Sequence, residues 1–395
     1  MQFLRKYLDR IKPNFEPGKK LSMFRSVFDG FETFLFVPNK TTQSGVHVHD
    51  AMDSKRAMSI VVIALLPCLL FGMFNIGYQH NLATDGHLSF CEMFSYGILA
   101  VMPIVIVSYV VGLGIEFIVA QWKGHEIQEG FLVSGMLIPL IVPIDTPLWM
   151  IAVATAFSVI FAKEVFGGTG FNIWTVALIA RAFLFFAYPS KMSGEKVFVR
   201  TDATFGIGGG SVVDAFSGAT PLGQVNSSGL TEMSNTIGNP LSYWDLFLGL
   251  IPGSIGETSK LCILLGAIIL LATGIANWRT MFSVFAGGIC TALFFNAIGS
   301  HSMMQINPLE HILLGGFAFG AVFMATDPVT SPRTQQGKYI FGFLIGMFAV
   351  TVRVLNPGYP EGMMLAILFM NAFAPLIDYF VVEANVKRRL KRIGK

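Results

Sequence analysis

Charge is what this chain has least of. Asp, Glu, Lys and Arg together make up 13% of its 395 residues, where a soluble domain carries roughly a quarter. Hydrophobic residues reach 53% and mean hydropathy is +0.62, so soluble enzymes drop out first and an all-α polytopic membrane protein is predicted. The net charge of +3 is too small to suggest nucleic acid, and the basic residues lie at the termini and between apolar runs, where membrane topology explains them. Cysteine is scarce as well. Cys68, Cys91, Cys262 and Cys290 show no C-x-x-C spacing, which excludes a zinc or iron–sulfur site built from neighbours and leaves thiols packed in the membrane. No G-x-G-x-x-G fingerprint opens a strand–helix unit, so dinucleotide binding is not expected, and GIGGG at 206–210 reads as flexible loop. The first fifty residues lack a basic region, apolar core and cleavage site in order, so the first span is expected to direct insertion.

Apolar runs are abundant. A span needs about twenty helical residues to cross roughly 30 Å of hydrocarbon, and such runs lie near 57–77, 94–120, 148–166, 172–188, 260–276, 279–299, 310–326, 339–355 and 362–382. The shorter stretch 130–143 completes about ten spans. The organisation expected is an N-terminal arm at 1–56 with an amphipathic helix at its start, a first five-helix repeat at 57–188, and an insert at 189–259. A second five-helix repeat at 260–382 and a basic tail at 383–395 follow. With a cytoplasmic N-terminus, Lys123, Lys163, Arg279, Arg333, Lys338 and the tail VKRRLKRIGK fall on the cytoplasmic side; the opposite short loops contain no Lys or Arg, and only Arg353 offends. The insert then faces outward.

The halves share breaks at corresponding places, LIVPIDTP with FMATDPVTSP and EVFGGTGFN with RVLNPGYPEG. An odd number of spans per repeat forces opposite orientations, which predicts an inverted repeat with a site between the halves. Ordinary tight loops are the alternative.

The insert contains DAFSGATPLG, in which Asp214, Ser217, Gly218, Ala219 and Thr220 match D-x-x-S-G-A-T. A dedicated flavin transferase attaches FMN through a phosphoester to the final threonine of that sequence. The small Gly218 and Ala219 leave room for a bulky donor, and Asp214 is placed to orient the acceptor; a plain turn before Pro221 is the competing reading. SYWDLFLGLIPGSIGE, later in the insert, predicts a short interfacial helix before a turn. Glu116, in SYVVGLGIEFIVAQW, is a carboxylate at membrane depth with Gly112 one turn before it on the same face; snorkelling toward the interface is the bland alternative. Asp378 in APLIDYFVV is the candidate for handling a hard cation such as Na⁺. Asp145, Glu164 and Asp327 are expected to cap or bridge, and His301 and His311 to be surface groups.

These motifs, together with NFEPGKK, HEIQEGFLVSGMLIPL, FAKEVFGGTGFN, IPGSIGE and GGFAFGAVFMATDPV, carry a resemblance running nearly end to end. The chain resembles the NqrB/RnfD family of membrane subunits, found in Na⁺-translocating NADH:quinone oxidoreductases and, more distantly, in Rnf electron-transport complexes. The resemblance implies a urea-transporter-like fold and membership of a six-subunit complex with flavin and iron–sulfur partners in the bacterial inner membrane. It further implies covalent FMN on Thr220, making the chain a phosphoprotein in that sense, a riboflavin within the membrane, ubiquinone as electron acceptor and coupled Na⁺ export. NADH oxidation would belong to another polypeptide of the complex. Riboflavin is expected near Gly167, Gly168, Thr169, Gly170, Asn172, Thr175 and Ser134, with Thr175 standing where the family often has a second asparagine. Gly112 and Glu116 fall in the family's quinone region, where Leu113 replaces a common glycine. An Rnf-type membrane component and a five-plus-five-helix channel or transporter are the alternatives, and the flavinylation motif argues against the last.

Overall fold

The computed structural model describes residues 2–15, 19, 28, 32, 36, 44–46, 54–84, 86–123, 130–193, 197–210, 212–213, 216–228, 233–356, 358 and 361–394. Among them the chain is all helix apart from two isolated bridges, Thr204 to Ile207 and Ser234 to Pro240. Helix α1 (Gln2–Ile11) is strongly amphipathic, as the arm's opening residues predict.

The first half comprises α2 (Ser54–Ala83), α3 (Phe90–Lys123), the short α4 (Phe131–Ile141), α5 (Leu148–Val159) with its π-helical continuation Ile160–Glu164, and α6 (Val176–Ala187). The insert folds into α7 (Pro221–Ser228) and α8 (Tyr243–Leu248). The second half comprises α9 (Lys260–Ala272), α10 (Trp278–Ile298), and a broken segment made of α11 (Pro308–Leu313), α12 (Phe317–Phe319) and a π-helical stretch Gly320–Met324. Helices α13 (Gln335–Leu355) and α14 (Met363–Arg392) complete it. Five of these helices, α2, α3, α10, α13 and α14, are long and apolar enough to cross a bilayer. Helix ends follow local chemistry. Ser242 and Asp245 form a capping box and Gly249, at φ 93°, ends α8 in the left-handed region, so the short helix predicted in the insert is present. Helix α14 runs through most of the basic tail, which the residue pattern alone separates from the last span.

Contacts sort the connections onto two faces. On one, Lys191 pairs with Asp145 at 3.7 Å, His80 Nδ1 meets the Arg200 carbonyl at 2.8 Å, and Tyr243 donates to Glu310 at 2.9 Å. This insert face thus gathers the ends of α2, α4, α6, α10 and α13. The Glu310 carboxylate raises the pKa of the Tyr243 hydroxyl through that hydrogen bond. On the other face Lys123 pairs with Glu164 at 3.5 Å, Arg279 donates to Gln335 at 2.8 Å, and Asp378 holds the start of α13.

Traced between these faces, α2 and α9 run in opposite senses, and so does each later pair. The neighbours repeat too: the second helix of each half packs on the fourth, and the fourth on the fifth. Between halves α2 packs on α9 and α6 on α14, first on first and fifth on fifth. The architecture is therefore two inverted five-element units. Small residues let the helices approach: a Cβ at Gly346 of α13 would strike the Val284 carbonyl of α10.

Candidate functional site

Two pairs of interrupted helices meet in the interior, and a cavity lies at each end of the junction. The larger, of about 110 Å³, opens between the halves on the face away from the insert. The first half contributes Val61, Gly130, Ser134, Lys163, Thr169, Asn172 and Thr175; the second contributes Leu270, Phe323, Thr326 and Asp327. Four of the positions expected to hold a flavin, Ser134, Thr169, Asn172 and Thr175, therefore converge on one wall. Gly167, Gly168 and Gly170 do not line it but form the adjoining turn, at φ 118°, 100° and 92°, where a side chain would be strained. Thr175 stands immediately before α6, so the helix starts one residue beyond the position at which the family pattern departs. Its hydroxyl lies 3.3 Å from Thr330 Oγ1 and accepts from Asn371 Nδ2 at 3.3 Å, joining the two halves. Among the described residues Asn371 Oδ1 is buried without a partner, and the walls are otherwise mostly apolar. A planar, amphipathic ring fits such a site.

Glu116 pairs with Lys163, a residue that reads as a loop charge in the sequence; both side chains are 4% exposed. The π-helical turn carries Lys163 inward to line the cleft. Snorkelling is thereby corrected: Glu116 is a buried counter-ion, its Oε2 unpartnered among the described residues. Gly112 faces the Phe131 ring, which fills the space a Cβ would need. Asp378 accepts from Arg333 N at 2.7 Å, Thr334 N at 3.1 Å and Thr334 Oγ1 at 2.5 Å, holding Thr334, whose hydroxyl caps α13 by accepting from Gly337 N–H. Asp327 caps its own loop through Val329 N and Thr330 Oγ1.

On the insert face Thr220 precedes α7, and its hydroxyl oxygen accepts from Gly223 N–H at 3.1 Å. Gly218 and Ala219 are buried beneath it, Ser217 Oγ accepts weakly from Ala219 N–H, and Asp214 lies outside the described residues. The helix opens on Pro221, which has no N–H, and gives its Gly223 N–H to this hydroxyl, so the Leu222 N–H is what the helix start leaves for a phosphate on Thr220. GIGGG is not a free loop: Gly209 N–H donates to His80 Nε2 at 3.0 Å.

Sequence reasoning missed a buried ionic cluster under Thr220. Arg181 of α6 donates to Glu257 Oε1 at 2.8 Å, to Glu361 Oε2 and to the Ile141 carbonyl. The available signal was a lone arginine within an apolar run, costly at membrane depth unless paired. Arg353, the topological offender, is 1% exposed and donates to the carbonyls of His311 and Leu314, at 2.5 and 3.1 Å. It satisfies a broken helix end instead of facing an outer loop. His311, expected at the surface, is also 1% exposed, and the Arg353 guanidinium lies over the Phe317 ring.

A family model described as the NQR2, RnfD, RnfE family matches residues 41–387. The B subunit of the Na⁺-translocating NADH-quinone reductase of Chromohalobacter salexigens is 43% identical over 412 residues, covering 98% of this chain and 96% of that one. Its counterpart in Pseudomonas aeruginosa is 42% identical over 416 residues, covering 99% and 100%. In Klebsiella pneumoniae the identity is 43% over 421 residues, covering 98% and 99%. Matched along nearly its whole length, with the inverted halves and the threonine-capped insert helix in place, this chain belongs to the NQR2, RnfD, RnfE family.

Proposed function

We propose that the chain is the membrane redox subunit of a Na⁺-pumping NADH:ubiquinone oxidoreductase. Thr220 would carry FMN on the outer face of a bacterial inner membrane, the cleft would hold riboflavin, and electrons would leave to ubiquinone as Na⁺ is exported. The observation that carries this reading is the separation of two sites across one inverted repeat. An acceptor hydroxyl at a helix start stands on the insert face, and an amphipathic cleft opens between the halves on the other.

Ser134, Thr169, Asn172 and Thr175 would hydrogen-bond the cleft flavin, whose chemistry is to accept and release electrons. Lys163 would present the cleft's cationic edge and Glu116 would position it, so Glu116 acts on the bound ring through Lys163. Gly112 and Phe131 form the adjoining wall assigned to the quinone headgroup. Asp378 retains lone-pair capacity beyond its three donors and is assigned to cation uptake at the tail face, which the basic residues make cytoplasmic. NADH oxidation falls to another polypeptide of the complex, and a flavin transferase is needed for maturation. An Rnf-type component would share the flavin but take electrons from another donor, while the relatives described above favour the sodium pump.

In-gel fluorescence of the denatured polypeptide tests the reading. Wild type made with the transferase should glow under ultraviolet light and Thr220→Val should not. A dark wild-type band, with no flavin mass on the peptide containing residue 220, overturns it.

A further inference from the structure

The outer end of α2 is polar where the rest of the helix is apolar. Asn75, Gln79 and His80 within it, and Thr84 just beyond, recur at helical spacing and are all buried. Three of them hold the insert. Asn75 Nδ2 donates to the Ile251 carbonyl at 3.0 Å, and Gln79 Oε1 accepts from the Thr236 hydroxyl. His80 holds the chain around GIGGG at two points: Nε2 accepts from Gly209 N–H at 3.0 Å, and Nδ1 lies 2.8 Å from the Arg200 carbonyl. The Tyr96 ring of α3 stacks on the imidazole with centroids 4.1 Å apart, and its hydroxyl donates to the Asp202 carbonyl at 2.7 Å. Glycine lets the chain lie this close. A Cβ at Gly208, whose φ is 77°, would stand 2.5 Å from His80 Nε2.

These two contacts fix the protonation of the ring. A main-chain N–H can only donate, so Nε2 is the bare nitrogen; a carbonyl can only accept, so Nδ1 carries the hydrogen. His80 is therefore neutral in this arrangement. A second proton would sit on Nε2 and set N–H against N–H, in a site where the side chain is 0% exposed and water cannot replace the lost partner. Among the described residues the charged groups facing the ring are Arg200 and Asp202 of the insert, and α3 contributes the uncharged Tyr96. Arg200 offsets Asp202, so no net negative charge is there to hold an imidazolium.

We propose that His80 is the positioning residue of the acceptor segment, fastening it to α2 only as a neutral imidazole. Beyond the glycines the chain stays on the same helix end. Val213 N–H donates to the Ala83 carbonyl at 3.0 Å, and Ser217 N–H to the carbonyl of Thr236 at 3.3 Å, the residue that Gln79 holds. Thr220 follows directly. The fastening stands on its own geometry, while what it positions rests on the flavinylation reading. Because the bond needs the neutral ring, it is present above the ordinary imidazole pKa of about 6.5 and is lost as pH falls below it. Acid on the insert face thus releases the acceptor segment.

Hydrogen exchange of the full chain in lipid nanodiscs, read on the peptide containing residues 206–210 and corrected for the intrinsic pH dependence of exchange, tests this. From about pH 8 to about pH 5, protection in wild type should fall roughly tenfold or more, the limit for one proton being about tenfold per pH unit. His80→Gln, which cannot titrate, should show a nearly flat profile. Should that variant fail to fold, NMR of isotope-labelled histidine decides: the Nδ1-protonated tautomer at high pH should convert to imidazolium as protection is lost. Flat protection in wild type, an equal fall in His80→Gln, or a His80 tautomer protonated on Nε2 overturns the proposal. Flavin attachment by the transferase, followed as intact mass at about pH 8, should be several-fold slower in His80→Gln, and an unchanged rate overturns the positioning of the acceptor. Absence of flavin mass on wild type overturns the parent reading instead, with the exchange result standing by itself.

Discussion

Lys163 and Glu116 form an ion pair in which each side chain is 4% exposed, and the pair joins the π-helical end of α5 to the C-terminal part of α3. Removing one partner strands a charge in a low-dielectric interior, at a cost of about 3–5 kcal/mol, whereas replacing both by apolar groups is often near neutral. Glu116→Ala and Lys163→Met should each lower the melting temperature sharply, and the double variant should recover most of the loss. A double variant as unstable as the sum of the singles would show that the two do not act as a pair.

The same pair predicts opposite effects on a flavin held in the cleft. A nearby cation favours the reduced ring, so Lys163→Met should lower the riboflavin midpoint potential. Glu116→Gln leaves the ammonium unneutralised and should raise it. Redox titration in the Thr220→Val background, where the covalent flavin is absent, reads this directly.

Gly112 is a packing position whatever else it does. A Cβ there runs into the Phe131 ring, and overpacking of this kind typically costs about 1–3 kcal/mol. Gly112→Ala should therefore be destabilised, and Phe131→Leu in the same chain should restore stability. If quinone reduction stays impaired in the rescued double variant, the glycine's second role at the headgroup stands; full recovery would reduce it to packing.

Asp378 can be separated into two functions by two substitutions. Asp378→Ala removes the carboxylate that anchors Arg333 and the capping Thr334 and should lower the melting temperature. Asp378→Asn keeps an acceptor oxygen and the shape but loses the charge. It should raise the sodium concentration for half-maximal activity roughly tenfold, corresponding to about 1.4 kcal/mol, with little change in melting. An unchanged sodium dependence would leave Asp378 as a structural anchor alone.

Arg181 is the crosspiece between halves, reaching from α6 to Glu257 and Glu361. Its planar fork serves several acceptors at once, which an ammonium cannot reproduce. Arg181→Lys should thus destabilise nearly as much as Arg181→Met, a difference between conservative and drastic change that thermal melts would show to be small.

Spans and their breaks were legible because each is written locally, in a run of apolar residues or a Pro–Gly interruption. The inverted pairing was legible too, since five crossings must reverse direction. What sequence could not supply was partnership. Lys163 looks like a loop charge until a π-helical turn brings it inward to Glu116. Arg353 breaks the loop-charge pattern until it is seen serving the carbonyls of His311 and Leu314, and Lys260 looks like a span boundary until the carbonyls of Glu257, Thr258 and Gly315 surround it.

The sequence by itself determined that this chain is a membrane protein of two opposed halves joined by a polar insert, because hydrophobic length and local breaks need no distant residue to be read. Only the tertiary structure decided where the buried charges go. Ion pairing at membrane depth joins residues such as Arg181 and Glu361, 180 positions apart, and their meeting depends on how the interrupted helices cross.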